Sequence, residues 1–158
     1  MVNERVIRGI AIQVFVLSLA ALALVLRGHT PASFWILAFL LADFTLRSAG
    51  LGKISLTAAL AKALAGKVFS FRPRLISAKP KRFAAGIGAF ISLASGLLLF
   101  VQIEPGAALL LAVLALFSFL EWAVRFCAGC RIFALLVRLG LASDDLCVDC
   151  VLPDGNGI

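Results

Sequence analysis

FAAGIGAFISLASGLLLFVQI, residues 83–103, runs for twenty-one residues without a charge, and AALLLAVLALFSFLEWAVR, residues 107–125, follows after only Glu104-Pro105-Gly106. A helix needs about 20 mainly apolar residues to cross a hydrocarbon layer of roughly 30 Å. The stretch therefore reads as two spans joined by a tight turn. The rest of the chain agrees: of 158 residues, 63% are hydrophobic and 15% charged, with a mean hydropathy of +1.10. Soluble domains lie near about 45–50% and about 25%. A soluble globule could not hide so much apolar surface in one small core, and a disordered chain would be poor in it. Four cysteines are too few for a disulfide-stapled mini-protein.

Toward the N-terminus a second pair of spans emerges, Ile10 to Leu26 and Phe34 to about Leu46. The first reads as a retained signal anchor, because Arg27-Gly28-His29 follows it instead of a small-residue cleavage site. The second is short and needs Pro31, Ala32 and Ser33 to reach across. The expected fold is an all-α membrane protein of four transmembrane helices, one integral membrane domain over residues 1–158.

Fifteen Lys and Arg give a net charge of +7, and their placement orients the spans. Arg5 and Arg8 precede span one, nine basic residues separate spans two and three, and Arg125, Arg131 and Arg138 follow span four. Only Arg27 lies on the other side. The positive-inside rule puts both termini and the middle loop in the cytoplasm. Charge placed this way sets topology and suits anionic lipid head groups or an acidic cytosolic partner. It calls for no nucleic acid.

The chain also reads as one unit used twice. Arg5, Gly9 and Ile10 recur as Arg82, Gly86 and Ile87, 77 positions on, and Asp43-Phe44-x-x-Arg47 recurs as Glu121-Trp122-x-x-Arg125, 78 positions on. The fold class is thus two repeated hairpins, units of about 5–69 and 82–142, each followed by a cytoplasmic juxtamembrane amphipathic helix, with a Cys-containing tail at 143–158. In unit one that helix carries Leu56, Leu60 and Leu64 and ends before Phe69-Ser70-Phe71-Arg72-Pro73. In unit two it is expected over Arg131–Ala142, with Ile132, Leu135, Leu136 and Leu139 as its stripe.

Two sets of residues carry chemistry. Asp43 with Arg47, and Glu121 with Arg125, have the i,i+4 order that favours a helical ion pair. Such an intramembrane acid is either a clamp near a helix end or a proton or ion site; with both acids facing one cavity, the chain would be a small transporter. The second set is thiols: Cys127-Ala128-Gly129-Cys130 and Cys147-Val148-Asp149-Cys150. Read as redox or sulfur chemistry, Cys127 and Cys130 are the reactive pair and Cys147 and Cys150 the resolving pair. Arg125 and Arg131 would then favour the thiolate. The partner would be a soluble thioredoxin-like or sulfurtransferase-like protein. Read as metal, the four cysteines have the spacing of a structural zinc site in an accessory subunit of a larger membrane complex. That site requires the 131–142 helix, roughly 18 Å long, to stop early at Gly140.

Asn3-Glu4-Arg5-Val6, Asp43-Phe44-x-x-Arg47, Lys79-Pro80-Lys81-Arg82-Phe83-Ala84 and Phe126-Cys127-x-Gly129-Cys130, in this order, resemble the bacterial membrane protein family known as domain of unknown function family 4395. The resemblance covers almost the whole chain. It implies a bacterial inner-membrane protein with four helices and a Cys-rich cytoplasmic end, and no activity.

Overall fold

A computed structural model of the chain describes residues 2–51, 55–68, 75–76, 79–124 and 126–139. Among these the fold is helical apart from a two-residue antiparallel ladder, in which β1 (Val2–Asn3) pairs with β2 (Leu75–Ile76). The helices are α1 (Glu4–Leu26), α2 (Thr30–Ser48), α3 (Leu56–Val68), α4 (Lys79–Phe100), α5 (Glu104–Ala123) and α6 (Ala128–Arg138). Three segments are long and apolar enough to cross a membrane: Val6–Leu26, Lys81–Phe100 and Glu104–Ala123. Helix α2 has 19 residues, since Pro31, Ala32 and Ser33 are helical, but it carries Asp43 and Arg47 and is not one of the three. Proline is tolerated in its first turn, where no intrahelical donor is lost.

Helices α1 and α5 pack together, as do α2 and α4, and each hairpin also closes on itself. One core layer joins Val14, Leu40, Phe44, Ala61, Ile91 and Leu114; a second, nearer the interhelical turns, joins Ala21, Val25, Leu37, Leu99, Ala107 and Leu111. Small polar residues fill the closest approaches. Buried Ser18, Ser92, Ser95 and Ser118 each donate to the carbonyl four residues back, and Ser33 donates across to Ala21 at 3.2 Å. That economy suits helices that pack without solvent to drive them together. The outward faces are apolar, with Val16, Trp35, Phe90, Leu97, Leu109 and Leu116 all more than half exposed. Such a surface is compatible with contact to a bilayer.

The two hairpins turn in the same way. After α1, Arg27, Gly28 and His29 donate to Ala23, Val25 and Leu24; after α4, Val101, Gln102 and Ile103 donate to Leu97, Leu99 and Leu98. Gly28 (φ 74°) and Gln102 (φ 63°) both take the left-handed conformation that closes a helix C-terminus. The structural register between the halves is therefore 74 residues at the turns. The same offset relates buried Leu37 to Leu111, Leu40 to Leu114 and Phe44 to Ser118. It is one helical turn short of the 78 that aligns the acid/Arg motifs.

The two shorter helices also correspond, α3 packing on α1 and α6 on α4. Helix α3 turns small residues inward, with Ala58 and Ala61 at 4% and 1% exposure, and points Leu56 and Leu60 away from the bundle. Helix α6 starts three residues earlier than the expected Arg131, because Cys127 supplies its cap; Ile132, Leu135 and Leu139 are exposed along it.

Candidate functional site

The ends of α2 and α5 meet the starts of α3, α4 and α6. In the first half, Ser55 caps α3. Its carbonyl accepts the first intrahelical bond, from Ala59 at 3.0 Å, and its hydroxyl accepts the Ala58 N–H at 3.2 Å. This is the ordinary role of serine at a helix start. The same hydroxyl donates to Asp43 Oδ1 at 2.6 Å, the Thr57 hydroxyl donates to Oδ2 at 2.7 Å, and the Thr57 N–H reaches Oδ1 at 3.4 Å. Arg47 Nε lies 3.0 Å from Oδ2, too oblique for a hydrogen bond; Nε and Nη2 have no hydrogen-bond acceptor among the described residues. The guanidinium instead lies over the Phe44 ring at 4.6 Å. Asp43, 3% exposed, thus ties α2 to the N-terminus of α3, where the helix dipole favours a carboxylate.

In the second half, Cys127 occupies the matching place. Its carbonyl accepts the first bond of α6, from Arg131 at 3.1 Å. The Cys130 thiol and backbone N–H both donate to its sulfur. Cys127 is therefore an N-cap whose acceptor is sulfur, and Cys130 stands where Ala58 stands in α3. Neither cysteine is disulfide-bonded. The hydrogen bonds from Cys130 bring the Cys127 thiol down from 9.0 to about 7. The Lys81 ammonium acts in the same direction, while burial and the Glu121 carboxylate oppose it. Lys81 is itself ion-paired with Glu121, which joins the start of α4 to the end of α5.

Above the sulfur is a cleft of about 60 Å³, open on one side, between α2, α4, α5 and α6. Its walls are aliphatic side chains with the rings of Phe44 and Phe117; Ser118, Glu121 and Cys127 are the polar or ionisable side chains among them. Asp43 is not one of its walls, so the two acids do not face a common space there.

Of the residues marked out by sequence, the structure brings Cys127, Cys130 and Glu121 together and places Asp43 with Arg47 one helix away. Arg131 is exposed and lies 5.5 Å from the Phe126 ring; the cation acting on Cys127 is Lys81. Arg125, Cys147 and Cys150 lie outside the described residues. Among the described residues no three His, Cys, Asp or Glu are grouped to hold a metal. Sequence reasoning passed over Lys81, Ser55 and Thr57. Ser55-Leu56-Thr57 before an apolar helix is a recognisable cap signal, whereas nothing local to Lys81 announces a partner 40 positions away.

No curated protein and no solved structure is similar to the chain. The family match covers α1 through α6, residues 2–138, and on it the chain belongs to the family described as Domain of unknown function (DUF4395).

Proposed function

We propose that this is an integral inner-membrane protein of bacteria whose Cys127–Cys130 dithiol exchanges electrons with a soluble thioredoxin-like partner on the cytoplasmic face. The observation that carries the reading is the Cys127 sulfur at the N-cap of α6, accepting two hydrogen bonds from Cys130. A thiol so held is partly ionised at neutral pH, and the thiolate is the attacking species in thiol–disulfide exchange. Cys130, within bonding reach on the same turn, is placed to resolve a mixed disulfide. Cys147 and Cys150 would pass the oxidising equivalent on. A sulfane-sulfur relay would begin with attack by the same sulfur.

The membrane part of the reading is four spans in two repeated hairpins, both termini cytoplasmic. Three apolar helices, α2's nearly equal length, the matching turns and the one-sided basic residues support it. The experiment is trapping. Cys130→Ser protein should hold a soluble dithiol carrier as a mixed disulfide through Cys127, and Cys127→Ser protein should hold none. One zinc per chain, lost on replacing either pair, would overturn the redox reading in favour of a structural metal site.

A further inference from the structure

We propose that the cleft beside Cys127 binds a membrane-dissolved quinone, which accepts the electrons of the dithiol. This rests on the redox reading above and names its second substrate.

Two independent requirements meet there. The first is the cleft's chemistry. Phe44, Ile87, Ile91, Leu114, Phe117 and Ile132 make it apolar, and its polar groups are already engaged. Glu121 is paired with Lys81, and the Ser118 hydroxyl donates to Leu114. A charged or strongly hydrated ligand would lose its water for nothing in return, whereas an uncharged, largely apolar one loses little. The cleft also lies where α4 begins and α5 ends, against two helices long and apolar enough to span a membrane.

The second requirement is the dithiol's. Its oxidation releases two electrons, and an uncharged apolar molecule that takes two electrons and two protons is a quinone. The Cys127 thiolate and the Cys130 thiol form one S–S bond, and the Cys130 proton and one proton from water go to the two quinone oxygens. The quinone is reduced to quinol. A soluble carrier then reduces the disulfide again, so the site passes electrons from cytosolic thiols to the membrane pool.

The test uses the full chain, reduced and freed of reductant, in anaerobic detergent micelles with decylubiquinone. Loss of quinone absorbance and formation of the Cys127–Cys130 disulfide are followed together, with hydroxyethyl disulfide as a water-soluble oxidant in parallel. In protein carrying Cys147→Ser and Cys150→Ser, one quinone should be reduced per chain. Ile132→Trp, placed at the exposed edge of the cleft, should slow that reaction on the order of tenfold and leave oxidation by hydroxyethyl disulfide unchanged. If hydroxyethyl disulfide oxidises the pair but the quinone does not, or Ile132→Trp reacts with quinone at the parent rate, the quinone site is wrong and the dithiol reading stands. A pair inert to both oxidants overturns both.

Discussion

Asp43 and Cys127 each sit beside the first turn of a helix, and their neighbours give them opposite tasks. All the groups that reach Asp43 are fixed to it, so the carboxylate holds structure together. Asp43→Ala would leave two hydroxyls and the Arg47 charge without their partner, and removing one member of a buried pair costs about 3–5 kcal/mol. Thermal unfolding in detergent should show that loss, with Asp43→Asn losing less. Cys127 instead lines the cleft. Its alkylation rate should rise with pH around a midpoint near 7, and Cys130→Ala should move the midpoint up by removing the thiol that donates to it. Lys81→Met should move it the same way. The stability linkage has a definite sign. Between about pH 7 and 9.0 the folded state binds fewer protons at Cys127 than the unfolded state, so stability rises with pH across that window. It is lost as pH falls through 7. Comparison of unfolding temperatures with Cys127→Ser, which does not titrate, isolates this contribution.

At the scale of helices, the closest approach at the site is between α6 and α4. A Cβ on Gly129 would lie 2.5 Å from Ala84 Cβ and 2.7 Å from its Cα, so the backbones themselves must part. Gly129→Ala gains about 1 kcal/mol of helix propensity against overpacking of about 1–3 kcal/mol, and the second should win. The expected result is lower stability together with a raised alkylation midpoint, because α6 carries Cys127 away from Lys81. Helices α1, α4 and α5 were legible because each carries a long apolar run, and the turns because Gly28, Pro31 and Pro105 punctuate them. The start of α6 was not. Cysteine is a rare cap, and the exposed stripe of Ile132, Leu135 and Leu139 reads equally well from Arg131 as from Ala128. Helix α3 divides its faces: Leu56 and Leu60 point away from the bundle, while Ala58 and Ala61 make the contact because small residues let α3 lie close to α1.

For the whole molecule, the distribution of charge makes the topology testable. Reporters fused to either terminus should both be active on the cytoplasmic side, and one inserted at the His29 turn should be active only outside. Hydropathy and charge asymmetry are global properties of the chain, so an expected topology can be read from one sequence, and these reporters decide it. Registration between the halves is harder to read. The acid/Arg motifs align at 78, yet the packing aligns at 74, since a helix face repeats nearly every four residues and sequence alone cannot tell adjacent turns apart. The likeness of Ser55 to Cys127, 72 positions on, was hidden because the motif alignment pointed to Ala49 and Gly52. That likeness has a practical meaning. The molecule already demonstrates, in its first half, that a serine can start such a helix with an alanine three residues on. Replacing Cys127 with serine and Cys130 with alanine would copy that working arrangement into the second half, so the chemistry can be deleted while the architecture keeps an anchor of proven kind. Reactivity and foldedness are separable here, and the natural control for the thiols is written elsewhere in the same chain.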